Sequence, residues 1–210
     1  MKPIDIEKNL DRFLLTIEKP GRYVGGEYNS VRKNPDEVRT RVALAFPDIY
    51  DLGVPNLGLA IFYDQLNRDP EIWAERVYAP WIDMEAEMRA RGIPLYTLES
   101  KTPIAELDVI GFTLPYESLC TNLLNMLDLA GLPIRSADRG DGDPLIIAGG
   151  HATFNPEPMA PFIDAFVIGE GEEAFPDVIR VYQIWKSSGA PRGALLERLS
   201  EIPEIGRAHV

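Results

Sequence analysis

One cysteine, Cys120, stands in a chain of 210 residues, so no internal disulfide can form and no thiolate set for a structural zinc or iron-sulfur site is present. Histidine is nearly as scarce, with two residues, His151 and His209. No apolar run approaches the roughly 18 residues of a membrane span, and Met1 to Asn9 alternates charge with apolar residues where a secretory leader would be apolar throughout. The reading is therefore a cytoplasmic protein with no membrane partner. Basic charge is also in deficit: 33 acidic against 21 basic residues leave a net charge of −12, which repels phosphate backbones and argues against direct nucleic-acid binding. Neither the phosphate-loop spacing nor a dinucleotide fingerprint after the first strand occurs.

What is present is ordinary globular material, 45% hydrophobic and 26% charged. Residues 1–36 read as an N-terminal extension with turn chemistry at Lys19-Pro20-Gly21-Arg22 and Gly25-Gly26. Residues 37–187 then alternate short apolar runs with amphipathic segments, which predicts a doubly wound α/β fold with five or six parallel strands. The expected strands are Arg41–Phe46, Arg76–Ala79, Leu95–Leu98, Asp108–Thr113, Leu145–Gly149 and Ala165–Gly169. Helices are expected from Asn56 to Leu66, from an Asp83 N-cap to Gly92, from Ser118 to Ala130, and from Glu172 onward with Phe175, Val178, Ile179, Tyr182 and Trp185 as its buried stripe. Ser187 to Pro191 marks the end of this unit, and residues 188–204 read as the start of a linker. Residues 205–210 are what ATC GGA AGA GCA CAC GTC encodes, a string that matches a common sequencing adapter. The expectation is a natural gene that continues past about Glu204, with no functional weight on His209.

Ligands of open parallel sheets bind at the carboxyl ends of the strands, near the point where strand order reverses. The segments there are Phe46 to Gly53, Thr113 to Glu117, Gly149 to Thr153 and Gly169 to Glu173. Gly149-Gly150 serves either as a floor that lets backbone approach a flat ligand or simply as a tight turn. His151 is a ligand contact or a solvated loop residue. Cys120 reads as a boundary residue of a helix, and Asp138 to Asp143 as a solvated turn that lacks the last glutamate of a calcium loop.

Three blocks carry a family resemblance: Gly149-Gly150-His151-Ala152-Thr153, Pro156-Glu157-Pro158, and Ile163 through Glu172. Together with Asp108 to Thr113 and Lys19 to Glu27 they resemble the flavodoxin-like or Rossmann-like cobalamin-binding-type domain that precedes the catalytic barrel in many radical SAM enzymes. The resemblance implies an N-terminal cofactor-binding domain that is not catalytic by itself. Cobalamin is the implied ligand, and its contacts would come from Asp48, Tyr50, Gly53, Thr113, Gly149, Gly150, His151, Thr153, Gly169, Glu170 and Gly171. The family's CxxxCxxC motif is missing, so the resemblance puts the [4Fe-4S] cluster and S-adenosylmethionine in the protein's own barrel, downstream. In the loop after the first strand, Asp48, Tyr50 and Gly53 keep the register of a cobalamin-binding DxHxxG pattern with tyrosine in place of histidine. A neutral phenol, with an ordinary pKa of about 10, is a poor cobalt ligand. Bound cobalamin would then lack histidine from this loop, its lower face open or covered by Tyr50, and an open lower face would suit methyl transfer. The alternatives are a degenerate module that serves structure or substrate recruitment for the same enzyme, or a receiver-type domain, the latter opposed by the absence of lysine at the fifth strand's end.

Overall fold

A computed structural model describes residues 1–207; His209 and its neighbours Ala208 and Val210 lie outside the described residues. The chain forms a six-stranded sheet in the order β2-β1-β3-β4-β5-β6, comprising β1 Thr40–Phe46, β2 Ile72–Tyr78, β3 Val109–Thr113, β4 Leu145–Gly149, β5 Ala165–Val167 and β6 Ile205–Arg207. The first five are mutually parallel and β6 runs antiparallel to β5. Strands β1, β3 and β4 occupy the centre, with Val42 opposite Val109 and Val109 opposite Leu145. Their side chains are buried on both faces, which is why they read as unbroken apolar runs.

Among the described residues seven α-helices accompany the sheet: α1 Pro3–Phe13, α2 Tyr50–Gly53, α3 Leu57–Asn67, α4 Ile82–Arg91, α5 Cys120–Leu129, α6 Gly171–Ser188 and α7 Arg192–Leu199. Right-handed crossovers carry α3 to one face and α4 and α5 to the other. Side-chain contacts agree. Arg89 of α4 donates to Asp128 and Asn125 of α5 at 2.7 and 2.8 Å, while Phe62 of α3 meets Phe175 of α6 edge-on at 5.5 Å. The connections after β1 and β3 thus leave toward opposite faces, so a crevice opens above this switch point. Among the described residues no helix is long and apolar enough to cross a membrane.

Four departures from the sequence-based expectation have physical causes. Leu95–Leu98 is not a strand: its amides go to Leu129, Thr102 and Arg76 carbonyls in a folded-back loop, with a single bridge between Tyr96 and Pro103. Strand β2 starts at Ile72, because Glu75 and Arg76 are neutralised by distant partners, Glu75 by Arg41 and Arg76 by Glu99 and Glu27. The N-cap of α4 is Trp81, and Asp83 instead accepts the Glu18 amide at 2.6 Å. Strand β5 stops at Val167, and Gly169, at φ +126°, turns the chain out of the strand conformation just beyond it. The buried stripe of α6 is as expected, with Phe175, Val178, Ile179, Tyr182 and Trp185 all inside.

The flanking segments pack onto the same core. Ile6, Leu10 and Phe13 of α1 are buried, and Lys19 to Glu27 form a strap over the β2 side. The strap is fixed by Arg22 and Lys19 on Asp51, by Tyr23 Oη accepting from the Trp81 amide, and by Lys101 Nζ donating to Val24 O at 2.8 Å. Edge strand β2 is protected by side chains: Asn67 bonds both backbone groups of Ala74 at 3.0 Å, and Glu99 accepts the Arg76 amide at 2.7 Å. At the other end α7 buries Leu195 and Leu199 and inserts Arg192 onto Asp164 at 2.7 Å. Asp164 also accepts the Ile146 amide at 2.7 Å and lies 3.1 Å from Arg139. Residues 192–199 are therefore part of the packed unit, where the sequence suggested the start of a linker.

Removing Arg192 leaves the buried Asp164 carboxylate to Arg139 alone and takes the donor away from the Asp143 and Pro144 carbonyls. Arg192→Met is expected to lower unfolding free energy by about 3 kcal/mol or more, whereas Arg180→Ala, which breaks an exposed pair with Asp177, should cost about 1 kcal/mol or less. Urea denaturation checks this; equal costs would contradict it. Burial lowers the Lys101 ammonium to about 8, so between about pH 8 and its ordinary 10.5 the unfolded chain holds a proton the folded chain has released. Stability relative to Lys101→Met should rise as pH climbs through that window and stay level below it. A difference that falls over pH 8–10.5 would refute the assignment.

Candidate functional site

Two glycines set the walls of the crevice. Gly111 in β3 lies under Phe175, and a Cβ there would sit 2.9 Å from the ring's Cζ. Gly171, the first residue of α6, lies against Phe62, where a Cβ would meet Cζ at 2.7 Å. Phe175 can therefore settle onto the sheet and Phe62 onto the start of α6, and the two rings meet edge-on. Between them, the N-terminal turns of α3 and α6 and the ends of β3, β4 and β5 enclose a cleft of about 560 Å³.

The cleft is lined by seven of the sequence-derived candidates: Thr113, Gly149, Gly150, His151, Gly169, Glu170 and Gly171. The glycines differ in what demands them. Gly150 has φ +110°, and a Cβ would lie 2.6 Å from Leu114 O, so the turn itself requires glycine there. Gly169, at φ +126°, is likewise held to glycine by its backbone. Gly149 has an ordinary backbone, and a Cβ would find only Val167 at 3.6 Å, so its missing side chain leaves floor space in the cleft that the protein's own packing does not need.

The remaining four candidates lie elsewhere. Thr153 is buried beneath the turn and braces it, its hydroxyl donating to Gly150 O at 2.7 Å and Val167 O at 3.3 Å. Asp48 turns back to accept its neighbour's amide, Ile49, at 2.7 Å and the Tyr116 hydroxyl at 3.4 Å. Tyr50 packs edge-on against Tyr78, ring centroids 5.4 Å apart, and its phenol is pushed up by burial and by the Glu27 carboxylate. Gly53 exists for the same contact, since a Cβ would strike the Tyr78 ring at 2.4 Å. Asp51 locks this loop to the strap; the hydrogen bond from Arg22 and then Lys19 hold its carboxyl at about 2. Tyr50 is therefore not among the residues that line the cleft.

Sequence reasoning missed Asn56, Phe62, Phe154, Glu172 and Phe175 as lining residues. Asn56 carried a readable signal, because it caps α3 by accepting the Leu59 amide at 2.9 Å and so sits where a helix N-terminus meets a strand end. The phenylalanines read only as helix core. Among the described residues the lining includes no lysine or arginine; its polar groups are Asn56, Thr113, His151 and the carboxylates of Glu170 and Glu172. Acidic side chains at the start of α6 are favoured by the helix dipole. Among the described residues no group of three His, Cys, Asp or Glu side chains is placed to hold a metal ion. Cys120 is half-buried, and burial pushes its thiol up, away from the reactive thiolate.

The family model described as "Radical SAM proteins, N-terminal" matches residues 58–205. The matched stretch includes the cleft from Gly58 onward and excludes the Asp48–Gly53 loop. No curated protein and no solved structure matches the chain.

The two classes of glycine separate by substitution. Gly171→Ala must displace Phe62 and is expected to lower the urea midpoint clearly, by overpacking of about 1–3 kcal/mol. Gly149→Ala meets only an ordinary contact and should stay within about 1 kcal/mol of the parent. The reverse ranking would contradict the packing described.

Proposed function

The chain belongs to the family of N-terminal regions of radical SAM proteins, and on that footing we propose that it is the cofactor-presenting domain of such an enzyme, its cleft holding a corrinoid for a catalytic barrel in the rest of the protein. The observation that carries this reading is the cleft itself, open at the switch point of a 2-1-3-4-5 parallel sheet, where doubly wound folds bind planar cofactors. Its lining suits a corrinoid body. That ligand is flat, largely neutral and fringed with amide arms whose N–H groups need acceptors. Glu170, Glu172, Thr113 and Asn56 offer acceptors, Phe62, Phe154 and Phe175 offer apolar walls, and Gly149 leaves the floor open. When bound, a corrinoid supplies methyl-carrying chemistry.

The chain's own residues orient and shield in this scheme. Gly149 and Gly150 admit the flat face, and the Phe62–Phe175 pair excludes water from one side. The loop after β1 contributes no imidazole, because tyrosine stands at position 50 and its ring packs on Tyr78. The iron-sulfur cluster and S-adenosylmethionine belong to the barrel in this proposal, since the chain has no CxxxCxxC motif. Exposed apolar side chains ring the cleft's end of the sheet, Leu57, Ile82 and Phe154 among them, and a barrel seated there would cover them.

A second reading, substrate recruitment without a corrinoid, is favoured by one observation: Asp48, Tyr50 and Gly53, the residues in DxHxxG register, are all engaged in the protein's own packing. Incubation with hydroxocobalamin, gel filtration and an ultraviolet-visible spectrum separate the two. The corrinoid reading expects retained bands at near one per chain, and loss of retention in Gly149→Leu without loss of thermal stability. A colourless parent protein would favour recruitment.

A further inference from the structure

His151 is the only imidazole among the described residues, and it stands in the cleft. The backbone puts it there. Gly150, at φ +110° with its Cα against the Leu114 carbonyl, turns the chain sharply at the end of β4. Thr153 then staples the following turn, His151–Phe154, to Gly150 O and Val167 O, so the imidazole is carried by a braced segment. Its ring stands edge-on to Phe154 at 6.2 Å, and among the described residues it enters no hydrogen bond or ion pair. The side chain is exposed, so the fold does not need it for packing.

We infer that His151 supplies the axial nitrogen to a corrinoid cobalt held in the cleft, taking from the loop after β4 the role that the loop after β1 has given up. The inference rests on the corrinoid reading. Its chemistry is a simple ligand exchange: a lone pair of neutral imidazole forms a Co–N bond, and the water or nucleotide base on that face leaves, with no change of oxidation state. Tyr50 cannot compete, being packed on Tyr78 outside the cleft, and the nearby Thr113, Asn56 and carboxylates are weaker donors to a cobalt that favours nitrogen. The open lower face expected from the sequence is thereby replaced by an imidazole-ligated one.

Cobinamide is the probe, because it lacks the nucleotide base and any strong axial nitrogen must come from the protein. The protein is loaded with cobinamide, freed of excess, reduced to the cobalt(II) state and examined by electron paramagnetic resonance. The expected spectrum shows a three-line nitrogen superhyperfine pattern that becomes two-line in protein grown with ¹⁵N-histidine and vanishes in His151→Ala, while circular dichroism and thermal midpoint stay as in the parent. Retained cobinamide with no nitrogen splitting would overturn the role of His151 and leave the corrinoid reading standing. Splitting that survives His151→Ala would overturn the assignment to this residue. Cobinamide and hydroxocobalamin both failing to be retained would overturn the corrinoid reading and this inference with it.

Discussion

The cleft depends on one steric allowance, the missing side chain at Gly111. Because β3 carries no Cβ there, the Phe175 ring settles onto the middle of the sheet and draws α6 alongside α3. The contact works only because the second glycine, Gly171, admits Phe62 from the opposite helix. With both helices held by their rings, residues from the starts of α3 and α6 and from the ends of β3 and β4 line the site. A larger residue at position 111 would meet the Phe175 ring, which forms part of the cleft wall, and the ring or α6 would have to give way.

The central strands were legible because burial on both faces leaves an unbroken apolar run, as in Leu145 to Ala148, and the helix stripe of Phe175 to Trp185 because period 3.6 is local. Strand β2 was only half legible. Glu75 and Arg76 look like surface residues until Arg41, Glu99 and Glu27 are folded onto them, and those pairings span 23 or more positions. Leu95 to Leu98 misled for the converse reason: the run is buried by tertiary contacts while its amides bond outside any ladder. Apolar composition reports burial, and burial does not require a strand.

The site divides along similar lines. Positions tied to a strand end, such as Thr113, Gly149 and Gly169, follow from topology once the strands are known. Tyr50 does not, because its direction is set by a strap some 30 residues upstream, where Arg22 and Lys19 hold Asp51. The same strap places Glu27 near the Tyr50 phenol and Tyr23 beneath Trp81, so a segment that reads as an appendage decides what the loop after β1 can offer a ligand. The β1 and β4 loops have thereby separated in role, one absorbed into packing and the other left facing the cleft.

In the proposed site, ligand contact falls on the ends of β3, β4 and β5 and the start of α3, with none on Asp48–Gly53. Hydrogen exchange read by mass spectrometry, with and without saturating hydroxocobalamin, tests that division directly. Slowed exchange should appear in peptides covering Thr113–Pro115, Gly149–Phe154 and Gly169–Phe175, with Asp48–Gly53 and the Lys19–Glu27 strap unchanged. Protection centred on Asp48–Gly53, with Gly149–Phe154 unaffected, would contradict the account.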